Sequence, residues 1–173
     1  MQTSLRVIHN ALPFELLAAI KEHIATQEYV RTNHTSWQAS VVNLSGPIYM
    51  ADISEQLHFD IKSNLNKLVP EFELMNFEAN IYVSMGGRYS YIPWHTDSNY
   101  AYAATIYLNE HWDREWAGYF MYETEDGRLE AVAPEFNKAI ILKPPVQHCV
   151  TMPNVHAPVR YAIQVFFKQK AQE

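Results

Sequence analysis

The sequence predicts a mainly β fold with helices at its N-terminus, and two observations carry this prediction. Apolar residues recur every three to four positions up to about residue 70, whereas from about residue 72 they alternate with polar residues. Seven short strand candidates then follow one another closely, which is typical of a sandwich, a barrel or a jelly roll. Because helices come first and strands after, the sequence argues against a parallel, doubly wound sheet.

Two helices are predicted in the first part of the chain, and we expect them to pack on the outside of a double-sheet β core. The first begins at Pro13, and the second ends at Pro70, which cannot continue a helix. The open end of the β core that the helices do not cover is then the expected place for a binding pocket. The apolar stripes of the two helices are Leu16, Leu17, Ile20 and Ile24, and Ile53, Leu57, Ile61, Leu65 and Leu68.

The strand candidates fill the chain from Phe77 onward. In the first of them Phe77, Ala79, Ile81 and Val83 alternate with residues of the opposite face. Turn signals such as Pro144-Pro145 separate the others. These are Tyr100–Asn109, Gly118–Glu123, Leu129–Ala133, Lys138–Lys143, Gln147–Met152 and Val159–Lys168.

Length and composition bound the class of protein. The chain has 173 residues, so we expect a single domain over 1–173, with a helical support region at 1–70 and the β core at 72–168. A core of this size folds without a metal, so a bound metal is expected to be functional. The net charge of −6 argues against a nucleic-acid partner, and no apolar run is long enough for a membrane span. The lone Cys149 predicts a reducing, cytoplasmic location.

Three residues have the chemistry of a metal site. In a strand or its extension, His95 and Asp97 share a face, so the imidazole and the carboxylate can converge on one ion. His148 follows 53 residues after His95, inside a predicted strand. Two imidazoles and one carboxylate form the facial triad of non-haem Fe(II) oxygenases, which leaves coordination positions open. The other histidines lack such spacing, and we expect packing or surface roles for them: His9, His23, His34, His58, His111 and His156.

Arg160 is the candidate partner of a chelating co-substrate. A 2-oxo acid with a distal carboxylate needs a permanently charged, planar, two-pronged donor, which is arginine rather than lysine. Strand alternation places Arg160 on one face with Ala162 and Gln164, so the arginine has room to reach inward. The alternative is an edge strand with Arg160 in solvent.

Five ordered segments between Asn80 and Phe167 resemble the 2-oxoglutarate- and Fe(II)-dependent dioxygenases, and within them the prolyl-hydroxylase-like branch. The resemblance implies a double-stranded β-helix, which is the cupin-like jelly roll. The segments are Asn80-Ile81-Tyr82 with Gly86-Gly87 and His95-Thr96-Asp97; Thr105-Ile106-Tyr107-Leu108-Asn109 with Trp112; Gly118-Tyr119-Phe120; Pro134-Glu135-Phe136-Asn137-Lys138; and the closing strand Arg160–Phe167.

The same resemblance implies roles for individual residues. His95, Asp97 and His148 would bind Fe(II). Arg160 would pair with the distal carboxylate of 2-oxoglutarate, and Tyr107 would donate a hydrogen bond to that carboxylate.

Other positions match the family less closely. Tyr82 would contact the co-substrate or line the pocket. Gln164 stands where a smaller hydroxyl residue is usual, so the carboxylate pocket would use an amide. Ala117 replaces the first glycine of a usual pair, and the stretch from Tyr82 to His95 is longer than in the family, which enlarges the loop over the site.

The activity that the resemblance implies is hydroxylation of an unactivated C–H bond. The substrate would be a prolyl or other amino-acid side chain, in a peptide or free, with dioxygen consumed, succinate and CO2 released, and ascorbate as an optional reductant. Asp97 favours hydroxylation because halogenating relatives leave that ligand position vacant. Phe166 replaces the second arginine expected of a nucleic-acid demethylase. The alternative function is a non-enzymatic, cupin-like metal or small-ligand binding module.

Overall fold

A computed structural model describes residues 4–31 and 39–170, which form three α-helices and eleven strands. The helices are Phe14–Ile24 (α1), Ala39–Leu44 (α2) and Glu55–Leu68 (α3). Every strand pairing is antiparallel. The strands are Leu5–Ile8 (β1), Val30–Arg31 (β2), Ile48–Asp52 (β3), Glu78–Gly86 (β4), Ile92–His95 (β5), Tyr102–Tyr107 (β6), Phe120–Glu123 (β7), Leu129–Val132 (β8), Ala139–Leu142 (β9), His148–Val150 (β10) and Arg160–Lys168 (β11).

Two sheets form the β core and line a common cavity. The larger has seven strands in the order β1-β9-β6-β11-β4-β3-β2, and the smaller has four in the order β5-β10-β7-β8. Each of the seven predicted strands overlaps an observed strand, and the mainly β character is confirmed. Within the described residues, no helix is long and apolar enough to cross a membrane.

Helices α1 and α3 cover the outer face of the seven-stranded sheet, as predicted. Ser54 caps the N-terminus of helix α3, since its hydroxyl accepts a hydrogen bond from the backbone N–H of Leu57 at 3.4 Å. The helix ends before Pro70, and Leu57, Ile61 and Leu65 on its inner face are buried. The same hydrophobic core contains Leu16, Leu17 and Ile20 of α1 and Ile163, Val165 and Phe167 of β11.

The N-terminal region also contributes strands, which the predicted helical support region at 1–70 did not include. Strand β1 pairs with β9, and β3 pairs with β4. Strand β5 was likewise not predicted. Neither β3 nor β5 shows strict alternation of buried and exposed residues. In β3, three of the five residues are buried, and they are distributed over both faces of the strand. Strand β5 is short and contains Pro93. Long-range pairing, rather than local pattern, makes these segments strands.

Strand β11 separates the helical core from the cavity. It lies between β4 and β6, with Arg160 opposite Gly86 and Ala162 opposite Tyr107. Arg160, Ala162, Gln164 and Phe166 line the cavity, whereas Ile163, Val165 and Phe167 belong to the core beneath the helices. The alternation predicted for this strand is therefore confirmed, and it brings Arg160 into the interior.

Stability should depend on the helix side of this sheet. Ile61 is completely buried on α3, so Ile61→Ala should lower the free energy of unfolding by about 2–5 kcal/mol because it leaves a cavity. Phe59 on the same helix is 57% exposed, so Phe59→Ala is the matched control and should change it by less than about 0.5 kcal/mol. Urea unfolding followed by circular dichroism measures both. Equal effects would contradict the placement of α3.

Candidate metal centre and anion pocket

His95 and His148 meet across two neighbouring strands. Strands β5 and β10 are antiparallel partners in which His95 stands directly opposite His148, and the two ring centroids are 4.2 Å apart. Asp97 lies two residues beyond His95. Its Oδ1 is 3.8 Å from Nε2 of His95, and its Oδ2 is 3.5 Å from Nε2 of His148. The three side chains thus present ligand atoms within 4.8 Å of one another.

The backbone fixes which nitrogen of each imidazole faces the cluster. Nδ1 of His95 lies 2.7 Å from the carbonyl oxygen of Pro93, and Nδ1 of His148 lies 2.9 Å from that of Val146. A carbonyl oxygen only accepts, so each Nδ1 carries the proton and donates it. Each Nε2 is then left with a free lone pair, which is the form of histidine that binds metals.

The protonation of the cluster also suits a cation. Burial lowers the pKa of His148 to about 4, and His95 acts in the same direction, so the His148 imidazole is neutral. Burial raises the pKa of Asp97, and His95 partly opposes this. A divalent ion among the three groups would favour the charged carboxylate. Two imidazole nitrogens and one carboxylate are the donor set of Fe(II) oxygenases, so these residues fit Fe(II).

Arg160 provides a buried cation in the same cavity. Its side chain is in the interior, and its Nη1 donates a hydrogen bond to the carbonyl of Gly118 at 2.7 Å. No carboxylate in the described parts of the chain lies within ion-pair distance of the guanidinium. Burial lowers the pKa of Arg160, and Tyr107 opposes this. A buried guanidinium with donors to spare is suited to a bound carboxylate.

Two glycines lie against this guanidinium, and Gly118 makes the closer approach. A Cβ atom on Gly118 would lie 3.0 Å from Nη1 of Arg160, and one on Gly86 would lie 3.6 Å from Nη2. Gly118 also has a φ of +73°, which favours glycine. Gly118 is therefore the glycine that Arg160 requires. Its neighbour Ala117 replaces the first glycine of the pair that is usual in the family.

Tyr107 is fully buried in the cavity wall and remains a neutral phenol. Burial raises its pKa to about 12, although the nearby Arg160 acts in the opposite direction. The O–H therefore stays available as a donor beside the guanidinium. Tyr107 and Arg160 line one cavity, and the hydrogen bond from Tyr107 to the co-substrate stays a prediction.

Gln164 and Tyr82 also line the cavity. The Gln164 amide is held by two neighbours: its Oε1 accepts from Thr105 Oγ1 at 2.9 Å, and its Nε2 donates to Ser84 Oγ at 3.3 Å. Tyr82 is buried and its ring lies 5.9 Å from that of Phe166. Contact of Gln164 or Tyr82 with the co-substrate stays a prediction.

The structure adds site residues that the sequence did not single out. The ring of Phe120 stacks on His148 at 5.0 Å, and Ser84 and Thr105 orient Gln164. Phe120 and Thr105 had a sequence signal, since they lie in the Gly118-Tyr119-Phe120 and Thr105–Asn109 segments, whereas Ser84 had none. Of the other histidines, His23 and His58 contact backbone carbonyls away from the cavity, and His34 lies outside the described residues.

Comparison with known proteins identifies the family. Residues 77–168 match the family model of the 2OG-Fe(II) oxygenase superfamily. The chain belongs to this superfamily. It is therefore an Fe(II)- and 2-oxoglutarate-dependent dioxygenase, as predicted, and not a non-enzymatic module. A comparison of this dioxygenase with curated protein sequences finds no significant match.

Solved structures share the fold of this dioxygenase over nearly its whole length. It aligns with a Pseudomonas putida prolyl-4-hydroxylase at a TM-score of 0.75 and 16% identity, over 98% of this chain and 95% of the other. A Trichoplax adhaerens prolyl hydroxylase in complex with a hypoxia inducible factor peptide fragment aligns at 0.72 and 14%, over 97% and 84%. HygX from Streptomyces hygroscopicus, with nickel and 2-oxoglutarate bound, aligns at 0.68 and 12%, over 96% and 83%. The jelly-roll prediction is confirmed.

The triad should be needed for metal binding but not for folding. His95→Ala, Asp97→Ala and His148→Ala should each weaken Fe(II) binding at least about 10-fold, because changing a residue that only supports a metal ligand already costs about that much affinity. Melting temperatures should stay close to that of the parent, since the core packs without a metal. Anaerobic calorimetry with Fe(II) and thermal unfolding test this, and the exposed His9 gives the control His9→Ala. Undiminished Fe(II) affinity in any triad variant would exclude that residue as a ligand.

Proposed function

We propose that this dioxygenase hydroxylates an unactivated C–H bond of a prolyl or other amino-acid side chain and releases succinate and CO2. The observation that carries the proposal is that one cavity contains both the triad and Arg160, and that no carboxylate of the described residues pairs with this arginine. His95, Asp97 and His148 would hold Fe(II). When bound, Fe(II) and 2-oxoglutarate supply the activation of dioxygen, with one oxygen atom passing to the substrate and one to succinate.

The chain itself supplies binding and orientation. Arg160 would bind the distal carboxylate of 2-oxoglutarate through two N–H groups, and the phenol of Tyr107 would donate to the same carboxylate. Both groups are buried, so water competes little for these hydrogen bonds. The co-substrate is thereby held by its distal carboxylate, with its oxo-acid end free to reach the metal.

The charges of the cavity favour a peptidyl substrate over a free amino acid. Apart from Arg160 and the triad, every described side chain that lines the cavity is uncharged. Residues 32–38, which lie outside the described parts, include no Asp, Glu, Lys or Arg. A free amino acid would bring an ammonium and a carboxylate without partners, whereas a residue within a peptide brings only neutral amides. Burying an unpaired charge is costly, and an amide costs much less.

Aromatic rings beside the metal ligands suit a prolyl ring or another apolar side chain. The ring of Tyr100 lies 4.6 Å from that of Phe166, which in turn lies 5.9 Å from Tyr82. The backbone N–H of Tyr100 donates to the carbonyl of Asp97 at 2.9 Å, so this wall adjoins the triad. The peptide held by the Trichoplax adhaerens prolyl hydroxylase supports the same substrate class.

Arg160 should be required for binding of the co-substrate rather than of the metal. Arg160→Lys keeps the charge but loses the two-pronged donor, so the Kd for 2-oxoglutarate should rise about 10- to 150-fold, the value of a hydrogen bond to a charged group. Arg160→Ala should bind 2-oxoglutarate more weakly still, whereas Fe(II) affinity should not fall in either variant because the metal ligands are other residues. Anaerobic calorimetry measures each Kd. Parent-like affinity for 2-oxoglutarate in both variants would place Arg160 outside the binding site.

The substrate class can be tested with matched pairs of compounds. The enzyme, with Fe(II), 2-oxoglutarate and ascorbate, is offered free proline and a short peptide that contains proline, then other free amino acids and their peptide forms. Mass spectrometry should show a gain of one oxygen atom in peptides, with one succinate formed for each, and none in free amino acids. Oxygen gain confined to free amino acids would contradict the peptide proposal. Binding of 2-oxoglutarate without succinate formation on any substrate would contradict the hydroxylase proposal.

A further inference from the structure

Ser90 is a buried hydroxyl that the mechanism above does not use. It lies in the loop between β4 and β5, and its side chain has no exposed surface. Among the described residues its Oγ has no hydrogen-bond partner, the one buried side-chain oxygen or nitrogen for which this holds. Buried polar groups are nearly always hydrogen-bonded, so an unpaired one requires a reason.

The backbone of this loop is held so that Ser90 points inward. The N–H of Ser90 donates to the carbonyl of Gly87 at 3.1 Å, and Tyr89 adopts a φ of +64°. Gly46 supports the loop from the other side, since its N–H donates to the carbonyl of Tyr91 at 3.0 Å. A Cβ atom on Gly46 would lie 1.7 Å from the carbonyl oxygen of Tyr89, so only glycine allows this approach.

The inward position brings Ser90 beside Arg160. A Cβ atom on Gly86 would lie 2.7 Å from Oγ of Ser90 and 3.6 Å from Nη2 of Arg160. The hydroxyl and the guanidinium therefore converge on the space that Gly86 leaves open. Ser90 is not among the residues that line the cavity, whereas Arg160 is. Ser90 can then affect a bound molecule only through cavity-lining neighbours, of which Arg160 is the charged one.

We propose that Ser90 is a positioning residue for Arg160. Its Oγ accepts a hydrogen bond from Nη2 once a carboxylate is bound, and this bond orients the guanidinium while the remaining donors face the ligand. A serine hydroxyl has lone pairs for this purpose, and Nη2 has two N–H groups. The ligand is the distal carboxylate of 2-oxoglutarate, so the proposal rests on the proposed function. Without ligand, the unpaired Ser90 hydroxyl lowers the stability of the protein. When 2-oxoglutarate binds, the new hydrogen bond to Nη2 adds to the affinity.

Ser90→Ala separates this role from a structural one. The variant loses an acceptor that has no partner in the free enzyme, so its melting temperature should equal or exceed that of the parent. The Kd for 2-oxoglutarate of the anaerobic Fe(II) enzyme should nevertheless rise roughly 2- to 13-fold, as for one ordinary hydrogen bond. The Kd for 2-oxobutanoate, which lacks the distal carboxylate, should not change. Gly87→Ala is the control, because nothing lies within 4 Å of its added methyl group.

Calorimetry with both oxo acids and thermal unfolding of the three proteins distinguish the outcomes. An unchanged Kd for 2-oxoglutarate in Ser90→Ala would overturn the role of Ser90 and leave the proposed function standing. An equal loss of affinity for both oxo acids, or a lower melting temperature, would show a structural role only and would also overturn it. If the parent enzyme itself fails to bind 2-oxoglutarate, the proposed function fails, and the positioning role fails with it.

Discussion

The burial of one guanidinium without a carboxylate partner is the constraint around which the cavity is built. A cation in a protein interior is costly unless other groups satisfy it. Around Arg160 the chain supplies one carbonyl, from Gly118, and a phenol that stays neutral, from Tyr107, but no carboxylate of the described residues lies within ion-pair distance. In the proposed function, the strongest partner of Arg160 is the bound anion. Two glycines exist at this end of the cavity because any side chain there would take the space of the guanidinium or of Ser90.

The seven-stranded sheet can tolerate this cost because stability and function lie on its opposite faces. Strand β11 turns Ile163, Val165 and Phe167 toward the helices, where all three are completely buried. Its other face turns Arg160 and Gln164 toward the cavity. Core burial contributes far more free energy than one unsatisfied polar group removes, so the helix side holds the sheet in place. Changes to the site can then alter ligand binding without unfolding the chain.

The sequence predicted the parts of the site that alternation and residue chemistry specify, and missed those that depend on distant contacts. His95, Asp97, His148 and Arg160 could be predicted because their residue types match one chemistry. His148 and Arg160 also lie in strands that alternation predicted, whereas His95 and Asp97 were found by their spacing of two residues alone. The amide of Gln164 was expected at the co-substrate, but its bonds to Thr105 and Ser84 come from neighbouring strands. Ser90 carries no pattern at all, since an unpaired hydroxyl is a property of its surroundings. Strands β1 and β3 were missed for a similar reason: their pairing partners lie far along the chain.

The balance of charge links the metal, the co-substrate and the substrate. The cavity contributes one negative charge from Asp97 and one positive charge from Arg160. A divalent cation at the triad and a doubly charged 2-oxo diacid would together leave the loaded cavity neutral, whereas either one alone would leave two charges in a low-dielectric space. Each should therefore strengthen the binding of the other, and the coupling must be reciprocal. A loaded cavity without net charge has no electrostatic attraction for a charged substrate, which supports the peptidyl side chain proposed above over a free amino acid.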